Sequence, residues 1–276
     1  MKLRLLSSLG AGLVLVAGVL FAASSAGAAP PQTCSGTLDS PGILAGEPSG
    51  NVVVSGVCFG GEPATVNGNL RLTPGSALID FVALTVNGNV IVQRGATLFA
   101  GAEDEEDVPA QASEFHFAGN LTASQALGVI LHGVDVDGNI NESGGGGGFT
   151  CEPVGIFAAF ESPVFSVVEG GHVGGGITIT GLTSCWLGIT HSRIDRGVHL
   201  LGNQLADPDA IEVLDSLIGG NLVCQQNSMM WDSTEAAEDS LYPRVWEPNT
   251  VDGRRVGQCV VAPALDSPSG DSPGPF

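Results

Sequence analysis

A short motif of the form V-x-G-N-φ, in which φ is an apolar residue, recurs along the chain. Its copies, of which the last three are weaker, start at Val66, Val86, Phe117, Val136, Val173, Ile194 and Ile218. Successive copies are 20, 31, 19, 37, 21 and 24 residues apart. A short fixed period with strand-like residues predicts an all-β fold, a single-stranded parallel β-helix (solenoid) with coils of about 20 residues and loop insertions.

Each position of the motif has a physical role in such a coil. The first residue of each copy should point inward and stack on its counterparts, since side chains alternate along a strand. The glycine should allow the positive φ of a tight corner. The asparagine side chains should form a ladder, in which their amide groups are hydrogen-bonded to one another along the solenoid axis. The asparagines of this ladder are Asn69, Asn89, Asn120, Asn139 and Asn221.

The intervals between copies are irregular, which indicates loop insertions and leaves an alternative fold to consider. We interpret the interval of 31 as one coil with the acidic insertion Gly101 to Glu114, and the interval of 37 as nearly two coils. A β-sandwich is the alternative, because N-G also marks hairpin turns. Hairpins alternate in direction, however, and rarely keep one motif in register through seven copies, so the solenoid is favoured.

The ends of the chain predict export. Lys2 and Arg4 precede the apolar run Ala11 to Ala23, and small residues follow, as in a secretory signal peptide. We predict a signal peptide over residues 1–28 with cleavage after Ala28 or Ala29, a β-helix domain over 34–261 and a disordered tail over 262–276. The sequence therefore indicates a secreted, extracellular protein without membrane insertion.

Charge and composition exclude several classes of function. Hydrophobic residues make up 43% of the chain, which is too many for a disordered protein. The chain has 29 acidic residues, and removal of the signal peptide leaves seven basic residues, all arginine. Such a balance argues against nucleic acid and anionic lipid as partners, and it excludes a catalytic lysine.

Six cysteines in an exported chain indicate disulfide bonds. The closest two are 24 residues apart, so no CxxC motif suggests zinc or redox chemistry. Of the many pairings, we predict those between neighbours in sequence, because adjacent coils bring such residues together. The predicted bridges are Cys34–Cys58, Cys151–Cys185 and Cys224–Cys259.

The C-terminal part of the chain resembles a known group of proteins. Gly219 to Asn227, "GGNLVCQQN", and Asn249 to Cys259, "NTVDGRRVGQC", are similar to a GNLxC…GQC block in exported actinobacterial hypothetical proteins with Gly- and Asn-rich β-solenoid repeats. That resemblance implies the solenoid fold and supports the Cys224–Cys259 bridge, but it implies no reaction. The repeats also loosely resemble those of bactofilins, which are cytoplasmic solenoids that polymerise end to end.

Polar residues before the inward positions form a candidate site. Side-chain alternation should place them on one outer face, and they are His116, Asp135, His172 and Arg193, with Asp137, His191 and Asp195 close by. The arrangement resembles parallel β-helix polysaccharide lyases, which carry acids for Ca²⁺ and an arginine base on an outer face. A ligand-binding groove is another interpretation, and a merely solvated face is the favoured one, since any exposed column of a solenoid is polar and an extra coil would separate Asp135 from His172.

A calcium site is a second candidate. Asp135, Asp137 and Asn139 offer three oxygen ligands, whereas Ca²⁺ takes six to eight. A ladder turn that happens to carry aspartates is the favoured interpretation, so we predict no cofactor, with Ca²⁺ as the alternative.

The segment from Gln226 to Gly253 interrupts the repeat and concentrates aromatic residues, Trp231, Tyr242 and Trp246. An open solenoid end exposes strand edges and core, which promote end-to-end self-association. We predict that this segment caps the end, and the alternative is a surface for a glycan or protein partner.

The sequence favours a secreted, non-enzymatic β-solenoid that acts as a structural or interaction module at or outside the cell surface. The alternative function is a lyase-like enzyme acting on an acidic polysaccharide through His116, Asp135, His172 and Arg193.

Overall fold

A computed structural model describes residues 30–101, 114–207, 211–228, 231–232 and 249–260. The predicted signal peptide, the predicted tail, Tyr242 and Trp246 lie outside the described residues, and Trp231 is described only as backbone. None of the helices in the described ranges has the length and apolar character needed to cross a membrane.

The described residues form 28 short strands and two short 3-10 helices, Gly155–Phe160 and Gln258–Val260. The strands are β1 (Gln32–Cys34), β2 (Gly42–Gly46), β3 (Val52–Val54), β4 (Val57–Val66), β5 (Leu70–Leu72), β6 (Ala77–Asp80), β7 (Leu84–Val86), β8 (Val90–Val92), β9 (Thr97–Ala100), β10 (Phe115–Phe117), β11 (Leu121–Ser124), β12 (Gly128–His132), β13 (Val134–Val136), β14 (Ile140–Ser143), β15 (Phe165–Glu169), β16 (His172–Val173), β17 (Ile177–Thr180), β18 (Thr183–Ser184), β19 (Trp186–Thr190), β20 (Arg193–Ile194), β21 (Val198–Leu201), β22 (Gln204–Leu205), β23 (Ile211–Leu214), β24 (Leu217–Ile218), β25 (Leu222–Gln225), β26 (Trp231–Asp232), β27 (Thr250–Val251) and β28 (Arg255–Gly257).

All but two of these strands stack into three long parallel ladders, to each of which a coil contributes one strand, and β18 and β22 form a separate parallel pair. Sheet A contains the end of β4 and then β7, β10, β13, β16, β20, β24 and β27. Sheet B contains β1, β3, β5, β8, β11, β14, β17, β21, β25 and β28. Sheet C contains β2, the start of β4, β6, β9, β12, β15, β19, β23 and β26. All pairings between these strands are parallel, so the β-helix prediction is confirmed and the hairpin sandwich is wrong.

The predicted inward stack forms the sheet A side of the core. Its members are direct partners from one coil to the next, all at most 1% exposed, and they are Val66, Val86, Phe117, Val136, Val173, Ile194 and Ile218. The apolar residue that ends each motif opens a strand of sheet B, as with Leu70 and Val90. The motif thus places residues of both sheet A and sheet B against one hydrophobic core.

The asparagine ladder follows the corner between sheets A and B. The Asn69 side-chain oxygen accepts the backbone N–H of Asn89 at 2.8 Å, and Asn89 and Asn120 repeat this contact with the next coil. The ladder starts one coil earlier than expected, because the Asn51 oxygen accepts the Asn69 N–H. These bonds pair backbone groups that a tight corner would otherwise leave without partners.

The reason given above for the motif glycine is wrong. Gly68, Gly88 and Gly119 are not among the residues with positive φ. A Cβ added at Gly88 would instead lie 2.6 Å from the carbonyl oxygen of Gly68, and one at Gly119 would lie 2.4 Å from that of Gly88. Glycine is required here because consecutive backbones approach too closely for any side chain.

The interval of 37 residues was also misinterpreted, since it contains one coil rather than two. Strand β13 pairs directly with β16, with Val136 opposite Val173. The additional residues form an insertion between β14 and β15 that carries the 3-10 helix Gly155–Phe160. This insertion covers the outer face of sheet C, where it builds a second apolar cluster of Ile130, Phe157, Val164, Phe165, Val167, Cys185 and Trp186.

All three predicted disulfide bonds are present, and they join Cys34 to Cys58, Cys151 to Cys185 and Cys224 to Cys259. The second ties the insertion to the start of β19, and the first and third lie near the two ends of the described solenoid. A cross-link of this kind restricts the unfolded chain and so favours the folded one.

Truncation of one ladder residue tests the corner. The Asn120 oxygen accepts both the backbone N–H and the side-chain Nδ2 of Asn139, so Asn120→Ala should lower the free energy of unfolding by about 1–2 kcal/mol. Urea denaturation measures this. Asn141→Ala, at an exposed outward position of β14, is the matched control, and an equal loss in both variants would contradict the ladder's role.

Candidate functional site

The predicted polar residues form one unbroken column on the outer face of sheet A. His116 lies opposite Asp135, and His172 lies opposite Arg193. Because β13 and β16 are neighbours, no coil separates Asp135 from His172, contrary to the expectation above, and an Asp135 oxygen accepts the His172 backbone N–H at 3.2 Å. The four candidates therefore occupy four consecutive coils.

The side chains of this column are already linked to neighbouring carboxylates. His116 Nε2 lies 3.1 Å from an Asp137 oxygen, and His172 Nε2 lies 3.1 Å from an Asp195 oxygen. The other Asp195 oxygen accepts from Arg193 Nε at 3.1 Å. The hydrogen bonds from Arg193 and then His172 hold the pKa of Asp195 below its usual value.

Two further histidine–carboxylate contacts lie on the same side of the solenoid and were missed from the sequence. His132 at the end of β12 contacts Glu169 at the end of β15, and His191 contacts Asp215, both at 2.9 Å. His191 was expected near the polar column, and it lies at the adjoining corner between sheets C and A. In all four contacts the carboxylate belongs to the coil after that of the histidine.

The corner that holds His191 has an unusual backbone. His191 and Asp215 have φ of 49° and 45°, at a corner where preceding coils place Gly133 and Gly170. Side chains other than glycine are uncommon in this conformation and cost free energy. The 2.9 Å contact between the His191 and Asp215 side chains accompanies these two left-handed backbone conformations.

The three calcium candidates have other partners. Asp137 contacts His116, Asp135 accepts the His172 N–H, and the Asn139 oxygen accepts the Gly176 N–H. In the described part of the chain, the group of three ligand atoms close enough to share a metal is Cys151, Cys185 and Asp207. Its two sulfurs are bonded to each other, so this group does not fit a metal ion.

Two of the buried carboxyl groups, those of Glu142 and Asp80, belong to no sequence motif that would have predicted them. Glu142 points into the core from β14 and accepts a hydrogen bond from the Ser166 hydroxyl at 3.0 Å. Burial raises the pKa of Glu142 to about 7. Burial also raises the pKa of Asp80, against the effect of the Val82 and Ala83 N–H groups.

The polar residues of the C-terminal block are structural. The Asn227 oxygen accepts the Asn203 N–H at 3.0 Å, and the Gln258 side-chain oxygen accepts the Asn227 N–H at 2.8 Å. Asn249 accepts the Ser216 N–H at 2.8 Å, at another corner. These contacts form two more side-chain ladders in the last coils, beside the Cys224–Cys259 bridge.

Of the predicted site residues, the structure thus brings together His116, Asp135, His172 and Arg193, with Asp137 and Asp195 beside them. Exposure is greatest for Arg193, at 67%, and intermediate for His172, at 43%. Comparison of the chain with protein-family models, with curated proteins and with solved structures finds no match.

Proposed function

We propose that the protein is an exported, non-enzymatic β-solenoid that serves as a rigid structural or interaction module at or outside the cell surface. This proposal rests on one observation, which is that the polar side chains form hydrogen bonds between neighbouring coils. Asparagines, serines, histidines and carboxylates bond mainly from one coil to the next, as Asn120 does with Asn139 and His172 with Asp195. Such bonding stiffens a rod.

Three disulfides add to this rigidity and suit an oxidising compartment. Together with the signal-peptide pattern of residues 1–28, they support export. A rigid solenoid does not need a partner to hold its fold. It can therefore present the outer face of sheet A, on which Arg193 and His172 are partly exposed, to a glycan or a protein.

A second function, cleavage of an acidic polysaccharide, is favoured by one specific observation. His116, Asp135, His172 and Arg193 follow one another in four adjacent coils without a gap. A lyase needs a base close to an acidic sugar and a group that neutralises its carboxylate. Against this function, Asp137 contacts Nε2 of His116, and Asp195 contacts Nε2 of His172 and Nε of Arg193.

The two functions are separated by an activity assay. The purified protein, incubated with a panel of polyuronates with and without Ca²⁺, should release no unsaturated products, measured by ultraviolet absorbance. Turnover that disappears in Arg193→Ala but persists in Arg71→Ala, an exposed arginine of sheet B, would overturn the non-enzymatic proposal and establish the lyase.

A further inference from the structure

The asparagine ladder between sheets A and B is broken at two adjacent coils. At this corner a backbone N–H normally bonds the side-chain oxygen of an asparagine in the preceding coil, as Gly176 bonds Asn139 and Arg254 bonds Asn221. Gly176 and Gly197 occupy ladder positions but have no side chain. In the following coils, the N–H of Gly197 therefore faces Gly176 and the N–H of Asn221 faces Gly197, and neither glycine has a side-chain oxygen to accept the hydrogen bond.

These two N–H groups find no acceptor among the described residues, whereas the N–H groups just before them at the same corners do. In the same coil Asp195 and Arg196 donate to Val173 and Gly175, and in the next coil Gly220 donates to Arg196. Gly197 is half-buried and Asn221 is exposed. Half-buried backbone donors are normally paired, with water or a ligand where protein groups are absent.

The surroundings of the break are positively charged in a chain with a net charge of −20. A Cβ placed on Gly197 would lie 3.5 Å from His199 Nε2, so the imidazole borders the vacated position. The strands and corners of the three coils concerned, 172–178, 193–199 and 217–223, carry two arginines against one aspartate, and the next coil, 250–256, adds two arginines and one aspartate: Arg193, Arg196, Asp195, Arg254, Arg255 and Asp252. One of these aspartates, Asp195, is already bonded by Arg193 and His172.

We propose that this break is a binding site for a carboxylate group. A ligand carboxylate oxygen takes the position of the missing asparagine oxygen at residue 197, where it accepts the Asn221 N–H and a hydrogen bond from His199 Nε2. The exposed guanidinium of Arg196, on the same corner, neutralises its charge. The N–H of Gly197, one coil away, accommodates a second oxygen of the same ligand or a water molecule.

Charge and donor type favour a carboxylate over a neutral oxygen. Two backbone N–H donors, an imidazole and a guanidinium offer hydrogen bonds that strengthen when the acceptor is charged. The inference goes beyond the proposed function, since a rod that binds no carboxylate remains a structural module. The carboxylate has two sources, a small free acid or a uronic acid within a polysaccharide.

Nuclear magnetic resonance tests the site directly. The mature, disulfide-bonded protein, labelled with ¹⁵N, is titrated with sodium acetate, with galacturonate oligomers and, as an ionic-strength control, with sodium chloride. The amide signals of Gly197 and Asn221 should shift with saturation, whereas those of Asn89 and Asn120, already bonded within the ladder, should not. Arg196→Ala should weaken the binding about tenfold, and Arg71→Ala should leave it unchanged.

Each outcome bears on the proposal. Saturation by acetate and oligomers alike supports a site for any carboxylate, and saturation by oligomers alone supports a uronic acid polymer. Equal saturation by chloride reveals an adventitious ion only and overturns the proposal. The absence of a saturable shift at Gly197 and Asn221 overturns it as well, as does unchanged binding in a folded Arg196→Ala protein.

Discussion

Val86→Asp should abolish folding. Val86 is fully buried at the centre of the inward stack, between Val66 and Phe117. A carboxylate there would have apolar neighbours and no partner, and the free energy of unfolding should fall by more than about 4 kcal/mol. That loss approaches the entire stability of an ordinary domain. The measurement is the yield of folded, disulfide-bonded protein, followed by urea denaturation of any that is recovered.

Thr85→Asp is the matched control for this substitution. Thr85 is the preceding residue of β7, it points outward and is half-buried, and its partner in the next coil is His116. A carboxylate at this position meets water and an imidazole, so stability should change by less than about 1 kcal/mol. Similar yields of the two variants would show that the register assigned to sheet A is wrong.

The sequence was sufficient to predict the features that repeat. The V-x-G-N-φ motif places Val86 inward, Thr85 outward and Asn89 at the corner, because alternation and a period of one coil leave little freedom. The same regularity predicted the three disulfides. Local patterns decide these positions, and a local pattern is what a single sequence displays.

The features that were missed depend on contacts between coils, and no repeated residue in the sequence indicates these contacts. The close approach at Gly88 depends on the backbone of Gly68, which a local argument about φ does not consider. Likewise, an interval of 37 residues cannot distinguish a second coil from an insertion that packs on sheet C through Phe157 and Trp186. Similarly, the hydrogen-bond partner of Glu142 in the core, the Ser166 hydroxyl, belongs to a strand of another sheet, and no local pattern indicates that the two lie together.

The sequence located the residues of the candidate site, but it did not predict which histidines contact which carboxylates. The outward column of His116, Asp135, His172 and Arg193 follows from strand alternation. Both the His132–Glu169 and the His191–Asp215 contact depend on which coils are neighbours, and for His132 and Glu169 this was obscured by the misinterpreted interval of 37 residues. A histidine followed by a carboxylate one coil later is the signal that would have revealed these contacts, once the coils are correctly aligned.

Glu142 makes the stability of the protein depend on pH. Its side chain lies in the core between Ala123 and Ile179, and burial raises its pKa from 4.5 to about 7. The folded protein therefore holds this proton more tightly than the unfolded chain does. Stability from this group is greatest below about pH 4.5, decreases as the pH rises through the interval between the two pKa values, and is constant above about pH 7.

Glu142→Gln should remove this dependence. Glutamine is isosteric and uncharged at every pH, and its oxygen can still accept the Ser166 hydroxyl, so the variant and the natural protein should be about equally stable at pH 4. At pH 8 the variant should be more stable by about 3 kcal/mol, since a shift of one pKa unit corresponds to about 1.4 kcal/mol. Urea denaturation of both proteins from pH 4 to pH 8 measures the difference, and the pH dependence contributed by every other group cancels because both proteins share it. Glu152→Gln, at an exposed position of the insertion, should show no such trend. A difference between Glu142→Gln and the natural protein that stays constant over this range would mean that Glu142 does not titrate within the core.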